Sequence, residues 1–231
     1  MTCGLVLPAY NVARHLADLV EEIKRVQPEI RILAVDDGST DKTAEVAASA
    51  GIEVIRHPEN RGKGAALMTG FIWAARQGLD RVFTMDADGQ HLPAEMQRFL
   101  DIMETTGADV VVGTRMARTE GMPWIRRKTN EFTSWVVSRL AGQVIPDSQN
   151  GFRLFRVEKL AGLQTSSSRF DFESEILVLL GRKGARIRSV PVSSIYADER
   201  SSIDPIVDTW RFFRLVLRLI RSRGKADGRI S

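Results

Sequence analysis

Two carboxylates and an amide follow a short apolar run near the middle of the chain. Residues 82–85 are typical of a buried strand, and Asp86, Asp88 and Gln90 come directly after it. In a segment that is still extended, residues two positions apart project to the same side, so these side chains can converge. Oxygen ligands of this kind suit a hard divalent cation that takes its other ligands from water and a substrate phosphate. The alternative is a solvated turn, since aspartate and glycine are common in turns.

Strands and helices alternate with short connections through the first half of the chain. The apolar patterns predict strands at 4–7, 30–35, 52–55, 81–85 and 108–113, and helices at 13–26, 41–49, 65–76 and from about Pro93. This alternation predicts an α/β fold, a mostly parallel sheet with helices on both faces. The carboxyl ends of the strands then collect a polar set at one sheet edge, where such folds bind ligands: Tyr10, Asp36, Asp37, Asn60, Lys63, Asp86 and Asp88.

The second half of the chain changes character but shows no repeat or linker. Its patterns predict helices at 129–140 and 172–181, a turn at 147–153 that enters a short strand, and a strand at 187–192. We therefore expect one domain over 1–203, whose two halves lie at about 1–115 and 116–203. A basic helix and tail follow at 204–231.

The composition is that of an ordinary globular protein. The chain has 231 residues, of which 43% are apolar and 27% are charged. The single cysteine, Cys3, excludes an intramolecular disulfide framework and fits a reducing compartment. No segment resembles a signal peptide or is apolar for long enough to span a bilayer. The sequence therefore predicts a cytoplasmic location.

The basic charge is concentrated at the carboxyl-terminal end. The net charge is +4, but residues 181–231 alone carry 12 Lys and Arg against five Asp and Glu. Residues 204–221 read as a helix with one stripe of arginines at Arg211, Arg214, Arg218 and Arg221. Such a helix can lie in an anionic membrane interface, or it can pack on the domain with its arginines in water. The tail has no recognised nucleic-acid-binding module, so we expect no nucleic-acid partner.

Five ordered motifs carry a resemblance to a known family. The motifs are Leu-Pro-Ala-Tyr-Asn at 7–11, Val-Asp-Asp-Gly-Ser-Thr-Asp at 35–41, Asn-Arg-Gly-Lys-Gly at 60–64, Met-Asp-Ala-Asp-Gly-Gln-His at 85–91 and Asp-Ser-Gln-Asn-Gly-Phe-Arg at 147–153. Their order and spacing resemble those of family 2 inverting glycosyltransferases of the GT-A fold, a Rossmann-like nucleotide-sugar-binding fold. Within that family the chain resembles the polyprenyl-phosphate (dolichyl-phosphate) mannose and glucose synthases. The resemblance implies that the domain at 1–203 is catalytic, with a nucleotide-binding half at about 1–115 and an acceptor half at about 116–203.

The resemblance implies roles on the donor side. Pro8, Tyr10, Asp36 and Asp37 would hold the nucleoside of a nucleotide-sugar. Asp86, Asp88 and Gln90 would bind Mg²⁺ or Mn²⁺ against the diphosphate of that nucleotide-sugar. Lys63, between two glycines at a helix start, could reach a phosphate.

The resemblance also implies a lipid-phosphate acceptor. Arg115 matches the arginine of the family's Gly-Ser-Arg element, and Arg126 with Asn130 matches an arginine followed four residues later by a small polar residue, usually serine. Asn130 departs from that serine, as Val12 departs from a frequent glutamate after Tyr-Asn. Arg200 and Ser201 fall in a segment similar to the acceptor loop. Asp88, Arg115 and Arg126 would then carry the catalysis, and Arg115, Arg126, Asn130, Arg200 and Ser201 would contact the acceptor phosphate.

The function implied is a metal-dependent, inverting transfer of mannose or glucose from GDP-mannose or UDP-glucose to a polyprenyl phosphate. The enzyme would work peripherally at the inner face of the cytoplasmic membrane, with its oligomeric state open, a homo-oligomer included. One alternative is a family 2 transferase that acts on a hydroxyl of a polysaccharide or glycolipid, with Asp171 or Glu173 as the base. Another is a non-catalytic membrane-surface binding protein, which the intact Asp86, Asp88 and Gln90 disfavour.

Overall fold

The computed structural model describes residues 1–116, 124–163, 165, 171–193 and 214–219, without the side chains of residues 125 and 126. The strands are β1 (Cys3–Ala9), β2 (Arg31–Asp36), β3 (Glu53–Arg56), β4 (Arg81–Thr84), β5 (Val110–Thr114), β6 (Arg153–Arg156) and β7 (Ile187–Pro191). The helices are α1 (Ala13–Val26), α2 (Thr43–Ser49), α3 (Lys63–Arg76), α4 (Met96–Thr106), α5 (Trp124–Ala141), α6 (Val157–Leu160) and α7 (Asp171–Arg182). A short 3₁₀ helix, Pro93–Glu95, precedes α4.

The strands of the described residues form one sheet in the order β3, β2, β1, β4, β6, β5, β7. All neighbouring strands pair in parallel except β6, which is antiparallel to both β4 and β5. The predicted α/β class with a mostly parallel sheet is therefore confirmed. Because β1 lies between β2 and β4, the connections leave it in opposite directions, and α/β sheets bind ligands at the carboxyl ends of the strands at such a point.

Successive residues of a strand are buried in two different hydrophobic cores, one on each face of the sheet. Val6, Val110 and Val112 face the core that also contains apolar residues of α3, α5 and α7. Leu5 and Val111, their neighbours in the chain, face the core under α1 and α4. A sheet that is covered on both sides needs apolar residues at consecutive positions, which is why its strands read as continuous apolar runs.

Most predicted elements lie within two residues of the observed ones. Helix α1 has the predicted bounds, and its predicted apolar face is buried: Leu16, Leu19, Val20 and Ile23. Helix α5 begins five residues before the predicted start at 129. Helix α6 and the antiparallel direction of β6 were not predicted. The division into 1–203 and 204–231 remains a prediction.

The tail is described only at 214–219, which is helical. Leu215 and Leu219 are buried in the core that also contains α5 and α7, whereas Arg214 and Arg218 are exposed. This segment therefore packs on the domain with its arginines outward, and the rest of the predicted 204–221 helix lies outside the described residues. Among the helices that are described, none is both long and apolar enough to cross a membrane.

Candidate active site

Asp86 stands at the carboxyl edge of the sheet, two residues beyond the end of β4. The hydroxyl of Thr84, the last residue of β4, donates a hydrogen bond to the carbonyl oxygen of Gly151 at 2.9 Å. That bond joins the end of β4 to the turn that precedes β6. The backbone of Gly151 lies so close to Asp86 that a Cβ at this position would be 2.5 Å from the carboxylate oxygen Oδ2. Only glycine leaves room for the carboxylate in this position.

A lysine connects Asp86 to a second carboxylate. The Nζ of Lys63 lies 2.5 Å from Oδ1 of Asp86 and 3.2 Å from Oε2 of Glu173 in α7. Burial favours neutral Lys63, but the charges of Asp86 and Glu173 outweigh it and raise the pKa of the lysine. Burial likewise opposes ionisation of Asp86, but the Lys63 ammonium, with a contribution from His91, holds the pKa of Asp86 well below its usual range. Both groups are therefore charged at neutral pH.

Asp88 and Gln90 lie on the turn that follows Asp86. The backbone N–H of Gln90 donates to Oδ1 of Asp88 at 3.0 Å, which closes the turn. Burial and the nearby charge of Asp86 raise the pKa of Asp88. Two partly buried carboxylates in close sequence disfavour each other's ionisation, and a divalent cation relieves this repulsion.

These residues fit a divalent cation that is shared with a substrate. Asp86, Asp88 and Gln90 supply two carboxylates and an amide oxygen, the donors that Mg²⁺ and Mn²⁺ accept. The absence of a side chain at Gly151 leaves the Asp86 carboxylate the space that it occupies. Within the described ranges, no group of three or more His, Cys, Asp or Glu side chains is arranged to hold a metal ion. Asp86, Asp88 and Gln90 alone would leave most of the coordination of such a cation to other ligands, and their role as metal ligands remains a prediction.

Asp37 organises the loop that leads to Lys63. Its carboxylate accepts hydrogen bonds from the backbone N–H groups of Arg61 at 3.0 Å and Gly62 at 2.7 Å. Nδ1 of His57 lies 2.7 Å from the same carboxylate, and Nε2 of His57 lies 2.9 Å from the hydroxyl of Thr69 in α3. Asp37 is thus bonded to the protein on several sides. A role in holding this loop is visible, and its predicted contact with the nucleoside remains a prediction.

The other predicted nucleoside residues lie at the same edge. Asp36, the last residue of β2, is buried; its Oδ1 accepts the N–H of Ser39 at 2.9 Å, and its Oδ2 lies 3.2 Å from Nε of Arg56. Pro8 is partly buried within β1. Tyr10, which follows β1, is about half exposed. The structure therefore brings Pro8, Tyr10, Asp36 and Asp37 to one region.

Arg115 directly follows β5 and is held by Asp147. Its Nε and Nη2 donate to the two carboxylate oxygens of Asp147 at 2.8 and 2.9 Å, and its backbone N–H donates to Oδ2 at 3.1 Å. Both side chains are buried. Burial opposes ionisation of Asp147, but Arg115 outweighs it and lowers the pKa of this carboxyl group. Arg115 therefore has a fixed orientation, while its contact with an acceptor phosphate remains a prediction.

The remaining predicted acceptor residues are only partly described. Asn130 is buried in α5, and its Nδ2 has no hydrogen-bond partner within the described structure, so a donor group is left over there. The backbone of Arg126 belongs to α5, but its side chain is outside the described part. Arg200 and Ser201 also lie outside the described residues.

Three contacts of the 147–153 turn were not expected from its sequence. Asp147 binds Arg115, and Gly151 approaches Asp86. Arg153 is buried and donates to the carbonyl oxygens of Asn150 at 2.7 Å, Glu173 at 2.8 Å and Ser148 at 2.9 Å. The motif marks the turn, but no local pattern indicates partners that lie tens of residues away. Glu173 was predicted as a candidate base, and its pairing with Lys63 was not expected.

Helix α5 presents an exposed aromatic and basic face. Trp124, Phe132 and Trp135 are largely exposed, and Arg127 and Lys128 lie among them, each paired with Glu131. An open groove of about 670 Å³ runs between this helix and residues 142–146. The groove includes Met116, the residue after Arg115, and also Trp135, Val144, Ile145 and Pro146.

Comparison with known proteins agrees with this architecture. The family model described as "Glycosyl transferase family 2" matches residues 5–164. The polyprenol monophosphomannose synthase of Mycolicibacterium smegmatis is 30% identical over 82% of this chain and 76% of its own length. The UDP-N-acetylglucosamine–dolichyl-phosphate N-acetylglucosaminyltransferase of Methanococcus voltae is 29% identical over 84% of this chain and 86% of its own.

Solved structures share the fold at lower identity. The glucosyl-3-phosphoglycerate synthase of Mycobacterium tuberculosis, crystallised with Mn²⁺, UDP and phosphoglyceric acid, superposes with a TM-score of 0.72 at 20% identity. That match covers 96% of this chain and 78% of the other. The predicted GT-A fold and the predicted enzyme class are confirmed, and the chain belongs to glycosyl transferase family 2.

Proposed function

We propose that this enzyme transfers mannose or glucose from GDP-mannose or UDP-glucose to a polyprenyl phosphate, with inversion at the anomeric carbon and with Mg²⁺ or Mn²⁺. In this reaction an oxygen of the acceptor phosphate bonds to the anomeric carbon. The bond from that carbon to the nucleoside diphosphate breaks, and its electron pair leaves with the diphosphate. The two relatives described above are named for polyprenol or dolichyl-phosphate substrates, which supports this choice of acceptor.

The observation that carries the proposal is the pairing of Glu173. A hydroxyl acceptor needs a carboxylate base, whereas a phosphate oxygen is already ionised at neutral pH and needs only charge and position. Glu173 is buried, with its Oε2 3.2 Å from Lys63 and its Oε1 3.8 Å from Nη2 of Arg153. Both oxygens of this candidate base therefore face cations of the protein. This arrangement supports an acceptor that brings its own charge.

On the donor side, Asp86, Asp88 and Gln90 would hold the metal ion. A divalent cation bound there stabilises the negative charge that develops on the leaving diphosphate. Lys63 stands beside Asp86 and can add a second positive charge. The buried Asp37 keeps the loop before Lys63 in place through the N–H groups of Arg61 and Gly62.

On the acceptor side, the proposal uses Arg115, Arg126, Asn130, Arg200 and Ser201 for the phosphate. Arg115 supplies a positive charge whose orientation Asp147 fixes, so little side-chain freedom is lost on binding. The leftover amide donor of Asn130 suits a phosphate oxygen. The groove that passes Met116, Trp135 and Val144 offers apolar surface for the first units of the lipid chain.

The same proposal places the enzyme peripherally at the inner face of the membrane. Helix α5 exposes Trp124, Phe132 and Trp135 beside Arg127 and Lys128. Tryptophan favours the boundary between acyl chains and headgroups, and basic residues are attracted to anionic lipid. The exposed Arg214 and Arg218 of the tail would add to this attraction.

The test is transfer from radiolabelled GDP-mannose and UDP-glucose, with Mg²⁺ or Mn²⁺, in the presence and absence of polyprenyl phosphate. We expect label in an organic-extractable, mild-acid-labile product only when polyprenyl phosphate is added, and the productive donor identifies the sugar. A parallel reaction contains 3-phosphoglycerate instead of the lipid. Transfer to it or to a hydroxyl of another acceptor, without a product on lipid phosphate, would refute the proposed acceptor.

Matched variants test the metal-ion site. Asp88→Asn removes one proposed ligand charge, and we expect turnover to fall by at least about a hundredfold, since a divalent cation contributes several kcal/mol to such transition states. Asp101→Asn removes an exposed carboxylate from α4 and should leave turnover unchanged. If Asp88→Asn kept full turnover, the assignment of the metal ligands would be wrong.

A further inference from the structure

The ammonium group of Lys63 lies where a metal ion would have to compete for Asp86. It is in direct contact with Oδ1 of Asp86 and also contacts Glu173, and the lysine side chain is only 16% exposed. Lys63 is the first residue of α3 and follows Gly62, whose φ of 94° makes the turn into the helix. The lysine thus joins carboxylates from two separate elements, the turn after β4 and helix α7.

Glu173 also lies beside a second cation, Arg153, which is held in place by hydrogen bonds. The guanidinium of Arg153 is buried and fixed by hydrogen bonds to the carbonyl oxygens of Asn150, Glu173 and Ser148. Its Nη2 lies 3.8 Å from Oε1 of Glu173. If Lys63 turned away, Glu173 would keep Arg153 beside it, whereas Asp86 would lose its close ammonium partner. The cluster therefore contains one fixed cation and one cation on a flexible four-carbon stem.

A divalent cation and the Lys63 ammonium cannot both sit against Asp86 without strong repulsion. A metal ion that arrives alone must displace Lys63, and the lysine then loses a buried anionic partner. A metal ion that arrives with a nucleoside diphosphate brings new phosphate oxygens, to which the displaced ammonium can turn. The diphosphate thus gives the Lys63 ammonium a new anionic partner in place of Asp86, which a metal ion that binds alone does not.

We propose that Lys63 is an internal counter-ion that makes the divalent cation and the nucleoside diphosphate bind together. It holds Asp86 when neither ligand is present and moves to the diphosphate when both bind. This inference deepens the proposed function, because it rests on the same donor site. By thermodynamic linkage, the nucleotide must raise the affinity for the metal ion by the same factor as the metal ion raises the affinity for the nucleotide.

The test is the binding of Mn²⁺, followed by the loss of its free electron paramagnetic resonance signal, with and without GDP or UDP. The variant Lys63→Met removes the charge and keeps the stem. We expect it to bind Mn²⁺ alone at least about tenfold more tightly than the wild type, and its nucleotide-dependent gain in affinity to shrink by about the same factor, because the diphosphate still ligates the metal ion directly in the proposed site. Lys63→Arg keeps a cation and should retain part of that gain.

A second lysine provides the control. Lys42 is exposed immediately before α2, and Lys42→Met should leave both Mn²⁺ affinities unchanged. If Lys63→Met binds Mn²⁺ alone no more tightly than the wild type, or keeps the full effect of the nucleotide, the inference is wrong. Thermal unfolding of Lys63→Met and Lys63→Arg shows whether each variant is folded. If folded Lys63→Arg binds Mn²⁺ equally tightly with and without nucleotide, that result also counts against the inference.

The outcome is separable from that of the proposed function. Wild-type protein that shows coupled Mn²⁺ and nucleotide binding, but no transfer to polyprenyl phosphate, would refute the acceptor and leave the role of Lys63 intact. Transfer to polyprenyl phosphate, with metal and nucleotide affinities that are independent of each other, would refute the role of Lys63 alone.

Discussion

Removal of the Asp147 charge should strongly destabilise the protein, although the substitution Asp147→Asn hardly changes the size of the side chain. Asp147 is fully buried and bonds both nitrogens on one edge of the Arg115 guanidinium, at 2.8 and 2.9 Å. The variant Asp147→Asn keeps the volume of the side chain but leaves a buried guanidinium beside a neutral amide. Breaking a buried ion pair by removing one partner costs about 3–5 kcal/mol. We expect the free energy of unfolding to fall by that amount, out of a total of roughly 5–15 kcal/mol.

Urea unfolding followed by circular dichroism measures this loss. The midpoint should fall while the dependence of the unfolding free energy on urea stays the same, since the surface exposed on unfolding is unchanged. Asp109, just before β5, provides a control. Asp109 is buried, and its Oδ2 accepts the backbone N–H of Arg186 at 2.8 Å, a hydrogen bond that the amide oxygen of asparagine can also accept. Its Oδ1 lies 3.9 Å from Arg156 and 3.6 Å from Lys159, both of which are partly exposed. Asp109→Asn therefore loses only these two long ion pairs and should cost about 1 kcal/mol or less.

A double variant separates the ion pair from the space it fills. Arg115→Met combined with Asp147→Asn removes both charges, and we expect it to recover much of the lost stability, because the unpaired buried charge is gone. A loss of less than about 1 kcal/mol in Asp147→Asn, with Arg115 still present, would refute this account of the pair.

Three further predictions concern Asp147, Gly151 and Cys3. The pKa of Asp147 is lower in the folded protein than its ordinary 3.8, so the stabilisation that its charge provides is complete above pH 3.8 and is lost as the pH falls through the folded pKa. The difference in unfolding free energy between the wild type and Asp147→Asn should therefore narrow in acid. A difference that does not change with pH would contradict this prediction. Gly151→Ala would place a Cβ 2.5 Å from Oδ2 of Asp86, so the carboxylate must move. We expect Mn²⁺ to bind at least about tenfold more weakly in the presence of nucleotide, while the unfolding midpoint changes little. An unchanged Mn²⁺ affinity would count against the proposed metal-ion site. Burial raises the pKa of Cys3 from 9.0 to about 11, so its reaction with a thiol reagent at pH 8 should be about a hundredfold slower in the native protein than in urea, and equal rates would contradict the burial.

Local patterns were sufficient for the elements and for the edge that carries the site. The spacing of Leu16, Leu19, Val20 and Ile23 defined helix α1, because one buried face of a helix leaves a regular mark in the sequence. The position of Asp86 after an apolar run also predicted its place at the carboxyl edge of the sheet. Both inferences depend only on residues that are close together in the chain.

Contacts between distant residues could not be predicted in this way. Arg115 and Asp147 are 32 positions apart, and nothing near either residue indicates that they pair. Lys63 and Glu173 are further apart still, and the charge at Glu173 was equally consistent with a base or with the start of a helix. Such pairs depend on how the sheet orders its strands. That order includes β6, which is only four residues long, and its sequence did not indicate that it runs antiparallel to its neighbours.

The place of β6 in the sheet affects how the chain can fold as it is synthesised. Strand β6 lies between β4 and β5, yet it follows β5 in the chain. When Val110–Thr114 leaves the ribosome, neither of its sheet partners, β6 and β7, has been made. A nascent chain that ends after β5 therefore exposes an apolar strand with both edges unpaired, which is a target for chaperones and a risk for aggregation. Strands β4 and β5 are joined only when Arg153–Arg156 has been made, so the strands that precede Asp86 and Arg115 are brought together in the same late step.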